Sequence, residues 1–143
     1  MRKEHFLTAS AEETFTLGKT YGQGLPRTRT VAFSGGLGAG KTTFIRGLVA
    51  GAAQLDGREV CSPTFAYLNI YEGSTTIYHF DLYRIPSEQE FIAAGFDEFL
   101  HLNGICCIEW SERISSLLPE AIDRITIEAL GQECRQITIE TNP

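Results

Sequence analysis

The sequence predicts an α/β fold, and three observations predict it. Residues 35–42 read GGLGAGKT, a complete phosphate-binding loop of glycine, four residues, glycine, lysine and threonine. The loop stands between an apolar strand at residues 30–33 and a helix with an apolar face at residues 43–49. Beyond it, strand and helix signals interleave as they do around one shared sheet. Part of that sheet is expected to be antiparallel, because Glu72-Gly73-Ser74 is a tight turn between two strand-like runs.

Each element has a local reason. Ser10-Ala11-Glu12-Glu13 is a capping box, serine at the N-cap and glutamate three residues on, and it opens a helix expected to run to about Gly22. Residues 23–29 form a loop. The strand, phosphate loop and helix follow, the helix running to about Ala53, and residues 54–59 are polar and turn-like. Val60-Cys61 and Ser62-Pro63-Thr64 lead into residues 65–71, which alternate as a strand. Residues 75–80 make the second strand of the hairpin and end at Asp81. A second capping box, Ser87-Glu88-Gln89-Glu90, opens another helix. Residues 105–108 are a buried strand ending at Glu109, and residues 111–118 a short helix stopped by Pro119. Ile125-Thr126-Ile127 and Ile137-Thr138-Ile139 alternate about Gly131 as a terminal hairpin.

The chain has 143 residues, the usual size of one domain, and is 43% hydrophobic, enough for a core. Net charge is −6 with no long basic run, which argues against independent binding to a nucleic-acid backbone, DNA included. No secretory signal or membrane span is read, so a cytoplasmic location is expected. Cys61, Cys106, Cys107 and Cys134 form no C-x-x-C pair and read as reduced thiols. His5, His79 and His101 are far apart in sequence and receive no metal.

The chemistry centres on the loop. Its glycines let successive N–H groups turn inward around an oxyanion, and the helix behind contributes the positive end of its dipole. Lys41 can reach the β- and γ-phosphates of a nucleotide, and the Thr42 hydroxyl can ligate Mg²⁺. A partner carboxylate is expected at the C-terminal end of a neighbouring parallel strand. Asp81 and Glu109 both fit, and Glu109 ends the more continuously apolar run. Thr64 lies where a nucleotide-sensing switch threonine could reach the metal and the γ-phosphate, although a proline turn entering a strand reads equally well. Trp110 follows Glu109 directly and is either near the nucleotide or a core residue.

Together these stretches resemble the TsaE-type (YjeE-type) P-loop ATPases, needed in bacteria to make threonylcarbamoyladenosine at position 37 of tRNA. The matching segments are SAEETFTLG from Ser10, GGLGAGKTTFIRGL from Gly35, SPTF from Ser62, YHFDLYRI from Tyr78, AGFDEFL from Ala94 and IEW from Ile108. The resemblance implies a P-loop NTPase-type three-layer fold with a mixed central sheet and a C-terminal β-hairpin. It implies ATP and Mg²⁺ as cofactors, with Gly38, Ala39, Gly40, Lys41, Thr42 and Thr43 around the phosphates. Thr42 and Glu109 would hold the metal, Asp81 would be needed for hydrolysis alongside Lys41, and Thr64 would be the switch threonine. Ser10 and Thr14 would lie near the base, and Trp110 would report nucleotide binding. Three positions depart from the family pattern: Gly36 stands where aspartate is usual, Ser111 where proline is usual, and Gln132 where an arginine usually follows glycine. Arg135 is the candidate to replace that last nucleotide contact.

The expectation is therefore one ATPase domain over residues 1–143, slow alone, acting on TsaD- and TsaB-like transferase proteins without transferring the group itself. A small-molecule kinase is the main rival, but no arginine-rich lid stands out. A regulatory GTPase would need an N/T-K-x-D guanine-reading motif, which is absent. A non-catalytic nucleotide-binding module would bind without hydrolysis.

Overall fold

The computed structural model describes residues 1–36, 38–58, 60 and 67–143. The predicted switch at Ser62-Pro63-Thr64 and the start of the strand predicted from Phe65 lie outside the described residues. In chain order the elements are β1 (Arg2–Thr8), α1 (Ala11–Gln23), β2 (Arg29–Ser34), α2 (Lys41–Ala52), β3 (Leu68–Glu72), β4 (Thr76–Asp81), α3 (Glu88–Ala93), β5 (Ile105–Glu109), β6 (Ile122–Gly131) and β7 (Cys134–Asn142). Two 3₁₀ helices, Phe96–His101 and Ser111–Leu117, flank β5.

Among the described residues the strands form one seven-stranded sheet in the order β1-β7-β6-β2-β5-β4-β3. The centre, β6-β2-β5-β4, is parallel, while β3, β7 and β1 pair antiparallel at the flanks. The sheet is thus mixed, with hairpins at β3–β4 and β6–β7, as the two turns predict. Alternation along β2 sorts its side chains: Val31 and Phe33 join the core under α2, with Ile45, Leu48, Ile77 and Ile125. On the other face Phe80 and Ile108 pack with Phe91 of α3 and Ile114 of the second 3₁₀ helix. Helices cover both faces, giving three layers. No helix of the described residues is long and apolar enough to cross a membrane.

Both capping serines act as expected, Ser10 accepting from Glu13 N and Ser87 from Glu90 N. Glu13 reaches back to the N–H of Ala9, one residue before the N-cap. Three features depart from the sequence reading. The strand expected at residues 65–71 begins at Leu68 among the described residues, because Tyr67 takes a left-handed φ of 64° that no strand continues through. β1 was not expected: four of its first five residues are charged or histidine, and it exists through seven register pairs with β7. The 3₁₀ helix Phe96–His101 had no sequence signal of its own and buries none of its residues fully.

α1 and α2 pack backbone to backbone. A Cβ on Gly47 would overlap the carbonyl oxygen of Phe15 and stand 2.9 Å from Lys19 N; one on Gly18 would overlap the carbonyl oxygen of Phe44. Gly47→Ala gains about 1 kcal/mol of helix propensity, but the helices must then part. The net expectation is a loss of about 1–3 kcal/mol, as for other overpacked contacts, read as a lowered melting temperature. Gly24→Ala, where the nearest atom to a Cβ is 3.7 Å away, should melt close to wild type. A Gly47→Ala protein as stable as wild type would mean that the close approach does not hold the helix pair.

Candidate active site

The phosphate loop runs from the end of β2 into α2 at the centre of the parallel strands, where a crevice opens beyond their C-terminal ends. Gly38 (φ 74°) and Gly40 (φ 105°) take left-handed backbone that a side chain would strain. Gly40 is also the N-cap of α2 and brings no side chain to cap it, and no acidic residue stands in the first turn. The N–H groups there are consequently left for an anion.

Lys41 is buried, its side chain 7% exposed. Its ammonium donates to the Gly35 carbonyl at 2.9 Å, lies 3.8 Å from Glu109 Oε1 and sits 5.2 Å from the centroid of the Trp110 ring. These contacts hold the lysine inside the loop.

The two carboxylates stand together. Asp81 and Glu109 are register partners on adjacent parallel strands, and Phe33 of β2 aligns with Glu109 on its other side. Their backbones are therefore about 4.8 Å apart. Both are buried. Asp81 Oδ1 accepts from Tyr83 N at 3.0 Å, and Glu109 Oε2 pairs with His79 Nε2 at 2.8 Å. Leu82 N donates to the Glu109 carbonyl at 3.1 Å and ties the two strand ends. Trp110 adopts left-handed φ 62° immediately after Glu109 and packs on Tyr83 at 4.9 Å. For a non-glycine residue this conformation is strained, and it turns the indole over Lys41.

Arg135, from β7, reaches across to the loop. Its Nε donates to the Ala39 carbonyl at 2.7 Å, Nη2 approaches the Gly38 carbonyl at 3.4 Å, and Nη1 binds the carbonyls of Gln132 and Cys134 at 2.8 Å each. The hairpin thereby braces the loop. It also meets α1, where Ala11 N donates to Glu133 Oε1 at 2.8 Å.

These groups line a cleft of about 530 Å³ formed by Gly38, Gly40, Lys41, Thr42, Thr43, Asp81, Tyr83, Arg84, Glu109, Trp110 and Arg135. Other concavities are as large, one of 570 Å³ between the ends of α1 and α2, but that one gathers no such set. Of the sequence-predicted site residues, Ala39 lies buried beside the cleft, with its carbonyl held by Arg135. Ser10 and Thr14 are not brought into the lining: Ser10 caps α1, and the Thr14 hydroxyl bonds that of Thr8 at 2.7 Å. Thr64 lies outside the described residues. The sequence reading passed over Tyr83, Arg84 and His79. The signal for His79 was available, since it precedes Asp81 by two residues and so shares its face of β4.

Thr42, Glu109 and Asp81 are hard oxygen donors, the chemistry Mg²⁺ takes. No cluster of three or more histidine, cysteine, aspartate or glutamate side chains forms a metal cage among the described residues. One or two protein oxygens are what a Mg²⁺ site completed by water and phosphate requires. The thiols near β5 are not poised to react: burial pushes Cys106 up to about 12 and Cys107 well above its ordinary range.

Known proteins are similar to this chain over most of its length. The family model described as "Threonylcarbamoyl adenosine biosynthesis protein TsaE" matches residues 8–137. Two relatives called tRNA threonylcarbamoyladenosine biosynthesis protein TsaE span most of the chain. The one from Treponema pallidum is 38% identical over 133 residues, 93% of this chain and 97% of the relative. The one from Bacillus subtilis is 35% identical over 139 residues, 96% of this chain and 85% of the relative. The crystal structure of YdiB from Bacillus subtilis superposes with a TM-score of 0.78 at 29% identity, covering 99% of this chain and 87% of that one.

Proposed function

The chain belongs to the TsaE family of tRNA threonylcarbamoyladenosine biosynthesis proteins, and from that premise we propose that it is a Mg²⁺-dependent ATPase of this modification at position 37 of tRNA. It acts in the cytoplasm on TsaD- and TsaB-like transferase proteins and touches tRNA only through them. The observation that carries the ATPase reading is the meeting of an uncapped helix N-terminus, Lys41 and two strand-end carboxylates in one cleft.

The residues divide the work. The backbone N–H groups of the loop and of the first turn of α2 bind the β- and γ-phosphates, and Lys41 exchanges the Gly35 carbonyl for their oxygens. Thr42 and Glu109 would hold Mg²⁺, which when bound neutralises the phosphate charge that builds up in transfer to water. Asp81, held by the Tyr83 N–H, orients the attacking water from the neighbouring strand. Trp110 closes the cleft over Lys41 and excludes bulk water. In this reading Arg135, which donates Nε to the Ala39 carbonyl and Nη1 to the hairpin carbonyls of Gln132 and Cys134, braces the loop rather than acting as an arginine finger. Hydrolysis by the chain alone is therefore slow, and its partners accelerate it by supplying a group or by positioning Thr64.

Trp110 is the single tryptophan, so its fluorescence reads the cleft without interference. Titration with ATP, ADP and GTP should show the adenine nucleotides binding at least as well as GTP. A clear preference for GTP would favour a GTPase.

A further inference from the structure

His79 is fully buried on β4, in a stretch where Tyr71, Ile77 and Cys107 provide apolar neighbours. Packing alone does not call for a histidine there. Its Nδ1 has no hydrogen-bond partner among the described residues, a cost a phenylalanine would not carry. Among the described residues the ring makes one polar contact, Nε2 to Glu109 Oε2 at 2.8 Å. An ionised carboxylate only accepts, so the imidazole donates and the Nε2–H is spent on Glu109.

We infer that His79 is a positioning residue for the metal carboxylate. Its Nε2–H pins Oε2 of Glu109 and leaves Oε1, 3.8 Å from Lys41 Nζ, as the oxygen presented to the cleft. This rests on the reading of Glu109 as the Mg²⁺ ligand. Without the histidine, the carboxylate is free to turn about its last torsion, and a cation must then order it on binding. Partners of this kind, one step behind a metal ligand, typically change metal affinity roughly 10–100-fold when removed.

The test is a Mg²⁺ titration at fixed ATP, read by Trp110 fluorescence, with a parallel ATP titration in EDTA. His79→Asn keeps a polar side chain but is too short to reach Glu109; His79→Gln carries an amide N–H to about the Nε2 position. His79→Asn should raise the Mg²⁺ midpoint roughly 10–100-fold and leave Mg²⁺-free ATP affinity unchanged, and His79→Gln should recover most of the loss. In the Glu109→Gln background, His79→Asn should add nothing further. A folded His79→Asn protein with the wild-type midpoint overturns the inference. So does an equal loss of Mg²⁺-free affinity, which marks a purely structural role. If Glu109→Gln moves the midpoint and His79→Asn does not, only the role of His79 fails. If Glu109→Gln leaves the midpoint in place, the metal-site reading fails with it.

Discussion

Lys41→Ala is expected to lower ATP hydrolysis by roughly 10²–10³-fold, the effect of deleting one preorganised donor to a developing negative charge, and to weaken ATP binding. Lys41 is the cation that the loop itself offers to the cleft; Arg84, also in the lining, comes from beyond β4, and Arg135 donates Nε and Nη1 to the carbonyls of Ala39, Gln132 and Cys134. The lysine is buried and bonded to Gly35 O, which makes a stability control necessary. Removing it should cost about 1–3 kcal/mol, a loss that leaves the protein folded, as a thermal melt will record. A folded variant with normal affinity and turnover would remove the basis of the phosphate-site assignment.

Glu109→Gln separates the two halves of the site. The amide keeps the shape and can still accept from His79, but it drops the charge that favours Mg²⁺. Mg²⁺-dependent hydrolysis should fall by roughly 10²-fold or more. In EDTA the same variant should bind ATP at least as tightly as wild type, because a negative charge 3.8 Å from Lys41 has been taken away from the phosphates. Asp81→Asn should also impair turnover while retaining more of the Mg²⁺-dependent gain in binding. Full activity in Glu109→Gln would transfer the metal role to Asp81, one strand away.

The parallel centre of the sheet and the line of phosphate loop, Lys41, Asp81, Glu109 and Trp110 were legible because they obey local rules. A glycine pattern between strand and helix announces the loop, and short apolar runs ending in a carboxylate announce β4 and β5. β1 was not legible because its pairing with β7 spans more than a hundred residues of sequence and its side chains are mostly solvent-facing. His79 escaped for a related reason: its meaning lies across the strand boundary, in a bond to Glu109 thirty residues away. Likewise, nothing local told that Arg135 would brace the loop backbone, since that depends on where the terminal hairpin folds. The base-side role read for Ser10 and Thr14 came from resemblance, and both residues sit in or beside the first turn of α1, outside the cleft lining.

The most direct test of the central claim is steady-state phosphate release from ATP and Mg²⁺, measured for the chain alone and with its cognate transferase proteins and tRNA, with modified tRNA counted in the same reaction. The account predicts slow release alone, strong acceleration by the transferase proteins, and repeated rounds of tRNA modification that Lys41→Ala fails to support. Fast release by the isolated chain, unchanged by those proteins and without effect on tRNA modification, would contradict it.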